Sequence, residues 1–259
     1  MEIDEVRDFT EYTFGWIKDD YDPRDKFKVS RIDEVNLPTH VDMRESCPPV
    51  YDQGPLGSCV LNAIGGAFEF DIIKQGNEIF MPSRLFAYYN ARKEDGTIKE
   101  DSGTMVRTGM KVVNKYGICH ETTWPYIVTR FKDKPSRIAY NEALGHQSIE
   151  YSKVNQWLPE LKSCLAEGYP FVFGIQVYNS FMSKEVAMTG NVPMPGIDEP
   201  NLGGHAILGV GFDNSIECFI VRNSWGLSWG DKGYFYLPYK YISNSLLASD
   251  FWTLKRVEG

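Results

Sequence analysis

Three groups in this chain could cooperate in acyl transfer: a cysteine behind a glycine-rich loop, a histidine between small residues, and an asparagine at the end of an apolar run. The loop is Asp52-Gln53-Gly54-Pro55-Leu56-Gly57-Ser58, rich in turn formers, and Cys59 follows it directly. Ser58 is the expected N-cap of a helix in which Leu61, Ile64, Phe68 and Ile72 recur at helical spacing and Gly76 supplies a left-handed stop. Cys59 then sits in the first turn, where unpaired backbone N–H groups and the helix dipole favour thiolate over thiol. Glycines ahead of it leave room for a carbonyl to reach sulfur and backbone N–H together, and Gln53 can add a side-chain donor to the resulting oxyanion. Taken alone, an isolated cysteine is more often a small apolar core residue.

The histidine lies in Gly203-Gly204-His205-Ala206-Ile207-Leu208, the start of an expected strand, and its small neighbours suggest that something approaches the ring closely. Asn223-Ser224-Trp225-Gly226 closes another apolar run 18 residues later. An asparagine there can accept the ring N–H and fix the tautomer, while Trp225 can shield that bond from water. Read singly, each segment is equally a strand residue or a turn flanked by packing aromatics.

Their order and spacing are more telling than any one of them. Cys59 precedes His205 by 146 residues, the separation expected of papain-like thiol peptidases. The chain resembles that family through Asp52-Gln53-Gly54 to Cys59, Gly204-His205-Ala206, Asn223-Ser224-Trp225-Gly226 and Trp229-Gly230-Asp231-Lys232-Gly233-Tyr234, with weaker echoes from Leu37-Pro38 onward. The resemblance covers residues 37–259 and is nearest to the bacterial xylellain-type branch. It implies an α+β, two-lobe fold with a helical lobe carrying the cysteine, an antiparallel β-barrel-like lobe carrying His205 and Asn223, and the site in the cleft between them. It further implies Cys59 as nucleophile, His205 as acid/base, Asn223 as its orienting partner, Gln53 in the oxyanion hole, and Gly103 and Gly204 as substrate-backbone contacts. Val60 stands where the family usually has Trp. Leu56 replaces a cysteine whose usual disulfide partner falls near Asp101, so that bridge is missing.

Around these motifs the helical signals concentrate early, at Met105–Tyr116 before Gly117 and at Gln156–Glu167 before Gly168. Strand signals concentrate late, at Phe171–Val177, Ala206–Phe212, Cys218–Asn223 and Tyr234–Leu237, and residues 189–204 read as a long loop leading to His205. Residues 1–36 form a separate compositional unit, with 11 acidic and 6 basic residues but also Phe9, Tyr12, Phe14, Trp16, Tyr21 and Phe27. So much aromatic surface predicts an arm docked on the body. In the context of the resemblance it is a candidate short inhibitory pro-segment lying in or beside the cleft of a 37–259 peptidase domain, which would make the chain a zymogen.

With 27 Lys and Arg against 35 Asp and Glu, the net charge of −8 disfavours nucleic acid and anionic membranes as partners. No signal pattern or membrane-length apolar run is present, so the sequence reads as soluble and intracellular (cytoplasmic), acting on peptides or proteins. Five cysteines without a Cys-x-x-Cys pair predict neither a dense disulfide framework nor a metal site, and no cofactor is expected. Two other functions fit the same residues: a catalytically degenerate papain-fold peptide-binding protein, and a Cys-His acyltransferase, which usually orients its histidine with Asp rather than Asn.

Overall fold

The apolar repeat after Ser58 becomes helix α1 (Cys59–Gln75) in the computed structural model, which describes residues 11–31 and 34–258. Gly76 ends it at φ 71°, donating its N–H to the Ile72 carbonyl. Every residue from Cys59 to Ile72 is buried, Asn62, Glu69 and Asp71 among them, because the helix packs against helices on one side and the sheet on the other. Ser58 does not cap it: its backbone (φ −99°, ψ 16°) is not extended, and its hydroxyl pairs with the Tyr126 hydroxyl and accepts from Asn62 Nδ2 at 2.9 Å.

On one side of α1 pack helix α2 (Arg84–Glu94) and, after the two-residue strand β3 (Thr104–Met105), helix α3 (Val106–Tyr116). Ser83 caps α2, accepting the Phe86 N–H at 3.2 Å, and Gly117 ends α3 as the sequence predicts. On the other side stands an antiparallel sheet. Its strands are β2 (His40–Asp42), β4 (Ser148–Lys153), β5 (Phe171–Tyr178), β6 (Asn201–Asp213), β7 (Cys218–Arg222), β8 (Tyr234–Pro238) and β9 (Ala248–Val257). The pairing order is β4-β9-β5-β6-β7-β8, with β2 on β6. Among the described residues nothing pairs β4 with β8, so the antiparallel lobe expected from the resemblance is present as a sheet that does not close.

Helix α5 (Leu158–Ala166) is shorter at each end than its sequence signal, and short helices α4 (Arg137–Ala143), α6 (Lys184–Thr189) and α7 (Tyr239–Ile242) complete the body. The long loop expected at 189–204 is a correction. It ends at Pro200, because Asn201, Gly203 and Gly204 pair across to Tyr178, Val177 and Gln176 and extend β6 toward His205. All five cysteines are free thiols.

The arm crosses the molecule before the body begins. Strand β1 (Trp16–Ile17) pairs in parallel with β3, and Lys26 and Lys28 exchange backbone hydrogen bonds with Lys153 on β4. Lys28 is buried in an ion pair with Glu167 at 2.8 Å, and Arg107 holds Asp25 at 2.6 Å. Phe9 and residues 1–10, 32 and 33 lie outside the described residues.

Candidate active site

The start of α1 meets the middle of β6 in the interior. The Ala206 N–H, next to His205, donates to Cys59 Sγ at 3.4 Å, so the thiol and the histidine strand are in direct contact. His205 Nε2 is 2.8 Å from Asn223 Oδ1, and Asn223 Oδ1 is itself held by the Ser224 N–H at 2.8 Å. With Nε2 engaged, His205 Nδ1 has no hydrogen-bond partner among the described residues and is the nitrogen left for proton transfer. Trp225 stacks on the imidazole (ring centroids 5.0 Å, 28° between planes) and is fully buried, which keeps water from the His205–Asn223 bond. Gln53 is held by a hydrogen bond that the motif does not advertise. Ser224 Oγ donates to Gln53 Oε1 at 2.6 Å, which turns Nε2 outward as a donor. Cys59, His205, Asn223, Gln53 and Trp225 are thus brought together by three elements, α1, β6 and β7, and by the loops before α1 and after β7.

Gly103 borders the cleft, where a Cβ on it would lie 2.1 Å from the Gly15 oxygen, but its own amide does not face that way. Its N–H points away, to the Tyr88 hydroxyl at 3.0 Å, and its φ of 71° suits glycine. The amide facing the cleft is that of Thr104. Asp101, where the family bridge is missing, accepts the Gly57 N–H at 2.9 Å and the Tyr88 hydroxyl at 2.5 Å. This chain of polar bonds ties the loop before Cys59 to the loop holding Gly103. Nothing local in the sequence announces it, since the partners are 13 and 44 residues apart.

The slot between these loops is filled by the arm. Thr104 donates its N–H to the Gly15 carbonyl at 2.9 Å, and Gln53 Nε2 donates to the Thr13 carbonyl at 3.2 Å. A Cβ on Gly15 would lie 1.8 Å from the Gly57 oxygen, and one on Gly204 2.5 Å from the Trp16 oxygen. The small residues beside His205 are therefore needed, and what approaches them is Trp16. Phe14 packs edge-on to His205 (6.1 Å), and Tyr12 reaches Asp52 at 2.8 Å.

Under this cover the pair is held neutral. Burial pushes the Cys59 thiol up to about 11, against the opposing amides of Ala206, Gly15, Val60 and Cys59 itself. Burial likewise lowers His205 to about 4, against the opposing bond to Asn223.

Comparison with known proteins agrees with this geometry. A model described as papain family cysteine protease matches residues 37–250. A peptidase C1-like protein of Acanthamoeba polyphaga mimivirus is 43% identical over 94% of this chain and 87% of its own length. Digestive cysteine proteinase 1 of Homarus americanus is 26% identical over 96% of this chain and 78% of its own length. The crystal structure of xylellain, a cysteine protease from Xylella fastidiosa, superposes with a TM-score of 0.90 at 42% identity, covering 95% of this chain and 96% of that one. Sequence, fold and the placement of the thiol against the strand that carries His205 agree: this chain belongs to the papain family of cysteine proteases.

Proposed function

We propose that Cys59, His205, Asn223 and Gln53 carry out the thiol-dependent peptide hydrolysis of the family, and that residues 11–31 hold this chain latent. The observation that carries the first part is the His205–Asn223 bond of 2.8 Å beside a sulfur seated at the N-terminus of α1. The thiolate adds to a peptide carbonyl, whose electron pair moves onto an oxygen held by the Cys59 N–H and Gln53 Nε2. Collapse expels the amine, which takes the proton of His205. Water then gives a proton to His205, attacks the thioester and releases the thiolate, with Asn223 orienting the ring throughout.

Latency is supported by where the arm places its own peptide bonds. The carbonyl on Gln53 Nε2 belongs to Thr13, whereas the nitrogen at the sulfur belongs to Gly15. Oxyanion donor and leaving nitrogen therefore serve different bonds, and no single arm peptide is posed for attack. The arm also spends the Gln53 and Thr104 donors that a substrate backbone would use.

The test is made on the full chain. Gly15→Val places methyl groups against the Gly57 carbonyl and should expel the arm without touching the body, raising hydrolysis of a fluorogenic peptide at least about tenfold, since misplacement by an ångström already costs two decades in such sites. Adding Cys59→Ala should abolish the gain. Equal rates for wild type and Gly15→Val, with exchange of the Trp16 and Ile17 amides in the variant showing the arm released, would end the latency reading. Hydrolysis that survives Cys59→Ala would end the nucleophile assignment.

A further inference from the structure

The two oxyanion donors, the Cys59 N–H and Gln53 Nε2, stand at opposite ends of a loop whose own sequence leaves it free to bend. Gly54 (φ 57°), Pro55 and Gly57 lie between them, and a glycine backbone samples many conformations. Two donors can meet one oxygen only while their separation and directions are fixed. Behind the loop, side chains from α1, α2 and the segment after α3 form a run of hydrogen bonds that reaches both of its ends.

The run begins at Arg84, the first residue of α2 and 6% exposed. Its guanidinium lies between the rings of Tyr51 and Tyr126, 4.5 and 4.4 Å from their centroids, and donates to Asn62 Oδ1 at 3.0 Å and Glu121 Oε1 at 3.1 Å. Glu121 Oε1 also accepts the Tyr126 N–H at 2.9 Å, which ties the tyrosine to the same cation. A guanidinium only donates, so Asn62 must turn its oxygen to Arg84 and its Nδ2 to Ser58. Nδ2 there donates to Ser58 Oγ at 2.9 Å and to the Ser58 carbonyl at 3.1 Å. The Tyr126 hydroxyl donates its one hydrogen to the Gln53 carbonyl at 2.9 Å, so in the Ser58–Tyr126 pair the serine is the donor. Every bond from Arg84 to Gln53 then points the same way, an arrangement in which each bond polarises and strengthens the next.

Both ends of the run act on an oxyanion donor. The Ser58 carbonyl and the Cys59 N–H belong to one planar peptide, so the Asn62 bond to the oxygen sets the direction of the N–H. The Gln53 carbonyl is held by Tyr126, and the Gln53 N–H donates to the Ser224 carbonyl at 2.9 Å, which together fix the backbone from which the Gln53 side chain projects. Among the described residues Arg84 and Asn62 make no hydrogen bond to Cys59, His205 or the arm, so they act through Ser58 and Tyr126.

We propose that Asn62, oriented by Arg84, is a positioning residue for the oxyanion hole. It sets the Cys59 N–H through the Ser58 carbonyl and, through the Ser58–Tyr126 pair, the spacing of that N–H from Gln53 Nε2. The role rests on the hydrolytic reading of the site. Its loss should be confined to steps in which an oxyanion forms, because the imidazole has its own support in Asn223.

Two rates measured on one protein isolate such a loss. Hydrolysis of a peptide anilide passes through an oxyanion, whereas alkylation of Cys59 by iodoacetamide displaces iodide and forms none. On the full chain carrying Gly15→Val, Asn62→Leu should lower kcat for the anilide at least about tenfold with KM changed by less than about twofold, removal of one oxyanion donor costing about 10²–10³ in such sites. Labelling of Cys59 at pH 5.5 should stay within about twofold, since no oxyanion is involved. Tyr126→Phe removes a single oxygen and should lower kcat at least about threefold with labelling equally unchanged; it decides the question if Asn62→Leu does not fold. Equal falls in hydrolysis and labelling would show that the run supports the thiol or the fold and would overturn the proposal, as would an unchanged kcat in the deciding variant. No hydrolysis by Gly15→Val itself, with Cys59 rapidly labelled, would strike the hydrolytic assignment and the positioning role with it. Hydrolysis by Gly15→Val that both variants leave intact would strike the role alone.

Discussion

Four backbone amides, including those of Ala206 and Gly15, lower the affinity of Cys59 for its proton, but desolvation is the larger effect and leaves the thiol at about 11. A helix N-terminus contributes at most ~2 kcal/mol, about one and a half pK units, whereas full burial moves a group by three to five. His205, buried beside it, is neutral above about 4. A thiolate–imidazolium pair needs a pH above the first value and below the second, and no such pH exists while the arm is docked. Water admitted by arm release removes the dominant cause of both shifts, bringing the thiol down and the imidazole up until the windows overlap. At pH 5.5 we expect Gly15→Val to be labelled by iodoacetamide at Cys59 at least about a hundredfold faster than wild type, where an ordinary thiol of pKa ~8.5 is inert. Wild-type labelling should rise only toward alkaline pH. Equal labelling rates at pH 5.5 would show that burial does not hold the pair neutral.

Between elements, the polar chain Gly57–Asp101–Tyr88–Gly103 takes the position of a covalent bridge and fixes the slot through which the arm backbone passes. Asp101→Ala leaves the Gly57 N–H and the Tyr88 hydroxyl unpaired, at a cost of about 1–3 kcal/mol in urea unfolding. Tyr88→Phe should cost less, because it strands one donor, the Gly103 N–H, where Asp101→Ala strands two. Measured beside Gly15→Val, Asp101→Ala should raise KM for peptides more than it lowers kcat; an unchanged KM would mean that the slot keeps its width without the bridge. The bridge also illustrates what the sequence hides. Helix α1 was legible because its loop, repeat and Gly76 stop are contiguous, and the candidate site because its motifs keep their order. Helix α2 escaped notice although Ser83 caps it, since Arg84, Tyr88, Tyr89 and Arg92 blur its apolar face while being buried. Strand β9 escaped because Asp250 interrupts its apolar run at a bulge, and the first residues of β6 because Asn-Leu-Gly-Gly reads as a loop until β5 supplies its pairing. The roles of Asp101, Ser224 and Asp250 depend on contacts far apart in sequence, which periodicity and local turn chemistry do not record.

Across the whole molecule the arm is fastened to both lobes by ionisable groups, so its docking must depend on pH. Asp19 of the arm is enclosed with Asp250, accepting from the Trp252 indole at 2.8 Å and the Arg107 N–H at 3.0 Å, and Arg107 and Lys153 face Asp25 beside it. Burial raises Asp19, and burial followed by the Asp19 charge raises Asp250 to about 6. Release of the arm returns both toward the ordinary carboxylate value of ~3.9. Groups raised in the docked state bind protons there that the released state does not hold. Their contribution to docking is therefore full below ~3.9 and is lost as pH rises through about 6. Glu167 works in the opposite sense: burial opposes its ionisation, but bonds from Lys28 and the Arg31 N–H outweigh that and hold it below its ordinary value. Its contribution is present above ~4.3 and lost as pH falls through the lowered value. The two dependences bracket a maximum at pH ~4, with the arm loosening toward neutrality by up to about 1.4 kcal/mol per pH unit for each proton released. Hydrogen exchange at the Gly15–Asp19 amides, corrected for intrinsic rates, should show protection at pH 5 exceeding that at pH 7.5 by about tenfold or more. Asp250→Asn should flatten this difference, because it removes the carboxyl whose ionisation through about 6 loosens the docked arm. Protection that instead grows from pH 5 to 7.5 would mean that Arg107 and Lys153 neutralise the acidic pair completely, and that the Lys28–Glu167 ion pair alone governs release.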